Sequence, residues 1–228
     1  MVHATLQSKF RSAPWIGLAL SALILVFAST NSARAASCDD QKGKVIFEDT
    51  FADDSGGWEA DTNAKAGGGR YAIHMASPSD AWQSLNATFN ASEADYCMEF
   101  VVPKSVAPDN AVQVGLAFWA PDYENFYLAS VLSDGTALVL KKTNRKWSTI
   151  ANKLTDPSIK VAVDSVAVIR VHAAGNAIVL SVNGVELKKI RAQMPSGPLR
   201  FGIYLETMKD NPAGVDLSVK RIRVTEAR

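Results

Sequence analysis

The run from Val166 to Ile190 constrains the fold more than any other stretch. It reads VAVIRVHA, AGN, AIVLSV, NG and VELKKI: three β-rich segments separated by two short turns. Asn183-Gly184 lies between alternating apolar runs, and both residues tolerate the positive φ of a type I′ turn. The pair therefore predicts a two-residue hairpin. Gly175, within Ala174–Asn176, predicts the reversal before it. The stretch is an antiparallel meander.

The same two-residue period recurs along the chain. In Val112–Trp119 one face carries Val112, Val114, Leu116 and Phe118, and the other Gln113, Gly115, Ala117 and Trp119. Leu199, Phe201, Ile203 and Leu205 share one face of Leu199–Glu206, and Tyr96, Met98, Phe100 and Val102 share one face of Tyr96–Val102. From Val215 to Val224 the apolar set moves from odd to even positions, so one residue is inserted, as a bulge at Lys220-Arg221 or a bend would do. Further strands are expected at Val45–Phe51, Tyr71–Met75, Trp82–Phe89, Asn125–Leu132, Thr136–Lys142 and around Trp147. Past residue 35 there is no convincing helical period. Short strands with Gly, Asn and Pro turns predict an all-β sandwich.

The first residues read differently. Lys9 and Arg11 precede an apolar run of 14 residues from Trp15 to Ala28, and Ala33-Arg34-Ala35 supplies small residues at a cleavage site. This is the order of a signal-peptide helix over residues 1–35, cleaved after Ala35. A membrane span calls for about 20 apolar residues, so no span is expected after cleavage. Residues 36–44 then read as a linker and 45–228 as one domain, in a secreted or periplasmic protein. Beyond residue 35 there are 21 basic and 23 acidic side chains, a balance that argues against a nucleic-acid partner. The two cysteines, Cys38 and Cys97, both follow the cleavage site. A single disulfide is the expectation for an exported chain, with two free thiols as the alternative. No C-x-x-C occurs, and His74 and His172 are far apart, so no zinc site is supported.

Several segments taken in order carry a resemblance: Phe47-Glu48-Asp49-Thr50-Phe51 with Trp58, then Val114-Gly115-Leu116-Ala117-Phe118-Trp119. Asn125-Phe126-Tyr127, Asp134-Gly135, Val182-Asn183-Gly184 and Phe201-Gly202-Ile203 complete the order. Together they resemble the concanavalin A-like lectin/glucanase superfamily, nearest to its secreted laminin G-like and 3-keto-disaccharide hydrolase-like domains. The likeness runs from about Val45 to Val224. It implies a jelly-roll β-sandwich of two antiparallel sheets with a carbohydrate ligand on a concave sheet. It also implies no cofactor beyond a structural calcium, for which Asp49 and Asp216 are the matching acids. The glucanase branch carries a Glu-x-Asp-x-x-Glu run on its catalytic strand. The nearest run here, Glu93 to Glu99, has its last Glu displaced.

Alternation supplies a ligand-site expectation of its own. The faces opposite the apolar ones carry Gln113, Trp119, Arg200, Tyr204 and Glu206, and in Val168–Ala173 they carry Arg170 and His172. Tyr127 joins this set, although its strand is apolar on both sides. Rings beside planar polar groups suit sugars, whose C–H faces stack while their hydroxyls hydrogen-bond; outward strand positions also hold such residues simply because they pair well across strands. Glu206 forms a candidate acid/base pair with His172 or a candidate dyad with Glu99. No nucleophile motif is present. Trp58, Trp82 and Trp147 read as packing residues. The expectation is an exported, non-catalytic sandwich binding a carbohydrate or another cell-envelope ligand. A glycoside-cleaving enzyme and a protein–protein interaction module are the alternatives.

Overall fold

In a computed structural model the described residues are 36–86, 93–104, 112–209 and 214–227. The expected signal peptide, residues 1–35, lies outside them, as do residues 87–89 of the strand expected to run to Phe89. Among the described residues, fourteen strands follow a single 3₁₀ turn, Cys38–Asp40. They are β1 (Val45–Asp49), β2 (Ala64–Gly67), β3 (Arg70–Met75), β4 (Ala81–Leu85), β5 (Ala94–Val101), β6 (Val112–Asp122) and β7 (Asn125–Leu132). Then come β8 (Ala137–Thr143), β9 (Lys146–Leu154), β10 (Val166–Ala174), β11 (Ala177–Val182), β12 (Val185–Arg191), β13 (Arg200–Thr207) and β14 (Val215–Glu226). No helix among the described residues is long and apolar enough to cross a membrane.

The strands form two antiparallel sheets. The first runs β12-β11-β10-β5-β14-β3-β2, with β1 also paired to β14; the second runs β4-β13-β6-β7-β8-β9. Between them lies the apolar set that alternation assigns inward. Met98 and Phe100 of β5 and Ile169 and Val171 of β10 face Leu116 and Phe118 of β6 and Phe201 and Ile203 of β13. Aromatic rings carry much of this core, with Phe47 on Phe201 at 4.9 Å and Phe51 stacked on Tyr71 at 5.8 Å.

The meander forms the edge of the first sheet. Asn183 and Gly184 have φ of 49° and 82°, and Val182 pairs with Val185 across the turn. Asn183 does more than turn the chain. Its Oδ1 accepts the Val168 amide at 2.8 Å and its Nδ2 donates to the Lys160 carbonyl at 2.8 Å. The expected insertion in β14 is present: Val219 pairs with Phe100 and Arg221 with Glu99, which leaves Lys220 as the extra residue.

A second bulge changes the reading of β6. Gly202 pairs with Ala117 but Arg200 with Ala120, so β6 carries one residue more than its partner there. Trp119 takes φ of 49° and turns inward beside Phe118, ring centroids 5.8 Å apart. It is fully buried in the core and not outward as alternation predicts.

Residues 36–44 are not a free linker. Cys38 is bonded to Cys97 with Cα atoms 5.6 Å apart, which removes the free-thiol alternative. The Cys38 amide donates to Glu99 Oε1 at 2.7 Å, and Gln41 Nε2 donates to the Asp95 carbonyl at 2.7 Å. The segment thus packs on the outer face of the first sheet.

Candidate functional site

Cross-strand partners share a face, so the pairing register lays out the surface of the second sheet that points away from the core. One row holds Glu206 and Gln113, the next Gln83, Tyr204, Gly115 and Ser130. A third holds Leu85, Gly202, Ala117, Leu128 and Leu140. The last holds Arg200 with Ala120 and, across the irregular register between Phe118 and Asp122, Phe126, Lys142 and Trp147, with Ala120 and Phe126 in one apolar cluster. Small residues occupy the middle. A Cβ on Gly202 would stand 2.1 Å from the Ser84 carbonyl oxygen, and one on Gly115 2.4 Å from Leu128 Cδ1. The strands close in where those side chains are missing.

The sheet is consequently curled around this face. Four strand spacings separate β9 from β13, roughly 19 Å in a flat sheet. Yet the Trp147 and Tyr204 rings lie 5.7 Å apart, and Phe126 packs edge-on against Trp147 at 5.3 Å. The middle of the hollow is filled by Phe126, Tyr204, Leu128 and Leu85, a small second core. Trp147 caps this core at the rim and remains 42% exposed.

Polar groups are ordered around it. Tyr204 donates its hydroxyl to Glu206 Oε2 at 2.8 Å; burial, reinforced by that carboxylate, drives the phenol far above its ordinary pKa. Gln113 Nε2 donates to Ser130 Oγ at 2.9 Å, both groups buried. Tyr123 accepts the Leu85 amide at 3.2 Å and donates to Glu59. Burial first, and Glu59 second, push the Tyr123 phenol up, while the charge of Arg200 opposes them. On the other side the Lys142 ammonium stands 5.3 Å over Phe126 and 5.5 Å over Trp147.

The expected site residues separate into three places. Gln113, Arg200, Tyr204 and Glu206 lie on this curled face. Trp119 and Tyr127 are in the sandwich interior, packed edge to face at 5.6 Å, with the Tyr127 hydroxyl donating to the Gln193 carbonyl at 3.0 Å. Trp119 is therefore not the outward ring that alternation predicts, and Tyr127, whose orientation alternation leaves open, also faces inward. Arg170 and His172 are outward but on the other sheet, where they clasp buried Asp95 at 2.8 Å and 2.7 Å. His172 and Glu206 therefore sit on opposite outer faces of the sandwich, and so do Glu99 and Glu206. Neither expected pair exists.

The acidic run on β5 is engaged in the same way. Asp95 is held by Arg170 and His172, while Glu99 accepts from Ser37 Oγ at 3.0 Å and from the Cys38 amide. The expected calcium acids are also apart. Asp49 pairs with Ile222, six residues along β14 from Asp216 and so roughly 20 Å away. Asp49 already accepts from Trp58 Nε1 at 2.8 Å, and Asp216 contacts His74 Nδ1 at 2.9 Å.

Trp147, expected as a packing residue, does pack on Phe126 and Tyr204, yet it stays 42% exposed on the curled face, a placement not expected from the sequence. Its signal was present. Thr143 pairs with Lys146 around Asn144-Arg145, both at positive φ, and that tight turn alone places Lys142 opposite Trp147.

No family model matches the chain, and no curated protein matches it in sequence. Solved structures do match. A Bacillus licheniformis β-glucanase superposes with a TM-score of 0.57 at 16% identity over 82% of this chain and 100% of its own. An endo-acting O-glycanase from the human gut microbiota superposes at 0.61 with 12% identity, over 81% and 100%. The carbohydrate binding module CBM66 from Bacillus subtilis superposes at 0.54 with 15% identity, over 80% and 97%. This likeness shows the fold: the chain is a jelly-roll β-sandwich of two antiparallel sheets, as in these glycan-acting neighbours.

Proposed function

We propose that the protein is an exported carbohydrate-binding module that takes its ligand at the rim of the curled second sheet and does not cleave it. One observation carries this reading: the exposed Trp147 ring is propped edge-on by Phe126 and Tyr204, with Lys142 beside it. A ring held in place on one side and open on the other loses little entropy when a sugar stacks on it. The Arg200 and Tyr123–Glu59 groups on the same face supply hydrogen-bonding partners. The structural neighbours, among them glycan-cleaving enzymes and a carbohydrate binding module, support a glycan ligand. The disulfide supports export, because such bonds persist in oxidising compartments.

Glycoside cleavage is the second reading, favoured by the enzymes among those neighbours. It runs on two carboxyl groups about 5–9.5 Å apart. On the curled face both carboxylates named above are already taken up by phenols, since Tyr204 donates to Glu206 and Tyr123 donates to Glu59. That arrangement favours binding over cleavage.

A glycan array probed with the protein and with Trp147→Ala tests the reading. Binding that depends on Trp147 is expected, with no reducing ends released from the bound glycan. Failure of the unaltered protein to retain any glycan would sink it, and release of reducing ends would move the assignment to the enzyme.

A further inference from the structure

We infer that the bound glycan is acidic, and that Lys141 and Lys142 hold its carboxylate or sulfate groups; this rests on the carbohydrate-binding reading above. The observation is a hollow of about 600 Å³ where β7 begins and β8 ends. Phe126 and Lys142 line it, and both also contact Trp147, so the hollow is continuous with the rim of the curled face. Lys141, Asn125, Thr143, Gln193 and Ser196 complete its polar lining, and among the described residues no Asp or Glu lines it.

The placement of the two ammonium groups is unusual for solvated strand ends. Consecutive strand residues point to opposite faces. Here Lys142 lies over Phe126 and Trp147 on the curled face, and Lys141 lies 5.0 Å over the Tyr127 ring on the other. Both nonetheless border the same hollow, because it wraps the end of the strand pair. Neither lysine is in an ion pair among the described residues. The nearby Arg145 is different: Glu124 takes it, with its Nε 2.6 Å from Oε1. Lys146, paired with Thr143 next to the turn, adds a further positive charge to this hairpin.

Two unpaired ammonium groups held over ring faces beside an open hollow form a site for anions. Neutral sugars hydrogen-bond to neutral and charged partners alike and do not call for them. Carboxylates and sulfates do, since a charge-assisted bond to an ammonium is about twice as strong as a neutral one. Lysine presents a rotatable point charge, which suits an anionic substituent whose angle varies along a polymer. Trp147 would then stack the adjoining ring.

The test is titration of the disulfide-intact protein with oligogalacturonates and chondroitin sulfate oligomers, against cello-oligosaccharides as neutral probes. At least one acidic probe is expected to bind ten times more tightly than the neutral one. That affinity should fall steeply between low and physiological salt, as screening within about 8 Å requires. Lys141→Gln/Lys142→Gln should abolish the preference while leaving the far-ultraviolet circular dichroism unchanged. If the double variant does not fold, Lys141→Gln alone and the salt dependence serve in its place. Equal affinity for acidic and neutral probes, or an acidic preference indifferent to salt and to the lysines, overturns the inference. If neutral oligomers still bind through Trp147, the carbohydrate reading stands without it; if no probe binds, both fall.

Discussion

Trp147 and Tyr204 meet edge to face, ring centroids 5.7 Å apart with planes at 74°, although three strands run between theirs. The contact closes the curl of the second sheet and leaves Trp147 42% exposed. It also sets Trp147 apart from Trp119, which the chain buries completely.

The two tryptophans should therefore behave oppositely when truncated. Trp119→Ala empties a packed interior site and should cost about 3–5 kcal/mol in urea unfolding. Trp147→Ala removes a half-exposed cap and should cost about 1 kcal/mol or less, from the edge contacts it makes. Glycan affinity should follow the reverse order, falling roughly tenfold or more for Trp147→Ala. Equal destabilisation by the two changes would contradict the burial assigned to them.

Curvature of the sheet depends on residues without side chains. A methyl group at Gly202 would meet the Ser84 carbonyl oxygen at 2.1 Å, a backbone atom that cannot swing aside. Gly202→Ala should force β4 away from β13 and cost about 1–3 kcal/mol, the usual range for overpacking. Ligand affinity should drop with it, since Arg200 and Tyr204 flank the strained pair. Unchanged stability and unchanged binding together would show that the close approach does not set the curl.

The disulfide spans 59 residues in sequence, from Cys38 to Cys97. Chain-entropy arguments give about 4 kcal/mol for closing a loop of that length. Cys38→Ser/Cys97→Ser should lower the urea midpoint accordingly and expose the amides of residues 37–41 to faster hydrogen exchange. Glu99 would still accept from Ser37 and Cys38, so the loss should not exceed that figure.

Alkaline conditions should unfold the protein cooperatively. Burial pushes the phenols of Tyr71 and Tyr96 above the ordinary tyrosine value, and burial together with Glu206 does the same for Tyr204. A raised folded-state value means that the folded chain keeps protons the unfolded chain releases. The stabilisation is complete below about pH 10 and is lost as pH rises from there through the folded values. Each such tyrosine steepens the fall by about 1.4 kcal/mol per pH unit. These three tyrosines should ionise together with the loss of the β-sheet circular dichroism signal. Their independent titration near pH 10 in a folded protein would refute the assignment.

Much of the architecture is legible in the order of residues alone. The inward sets Val114, Leu116, Phe118 and Phe201, Ile203, Leu205 follow from a two-residue period, and Asn183-Gly184 from the few residues that accept positive φ at a tight turn. The Lys220 bulge shows as a change of parity along one strand. The candidate site is half legible. Arg200, Tyr204 and Glu206 lie where alternation places them, and Trp147 is recoverable from the β8–β9 turn.

Strands, turns, inward faces and the class of fold are written in the chain itself, because each depends on residues near one another along it. Which outward residues become neighbours is settled by tertiary pairing. Alternation states that Arg170, His172 and Tyr204 point away from the core, but not that two of them leave one sheet and the third leaves the other. That follows from the non-local order β10-β5-β14 against β4-β13-β6. Likewise Trp119 turns inward because β6 holds one more residue than β13 between Ala117 and Ala120, a count that only strand pairing reveals. The open ring of Trp147 arises last, where a curled sheet brings β9 back over β13.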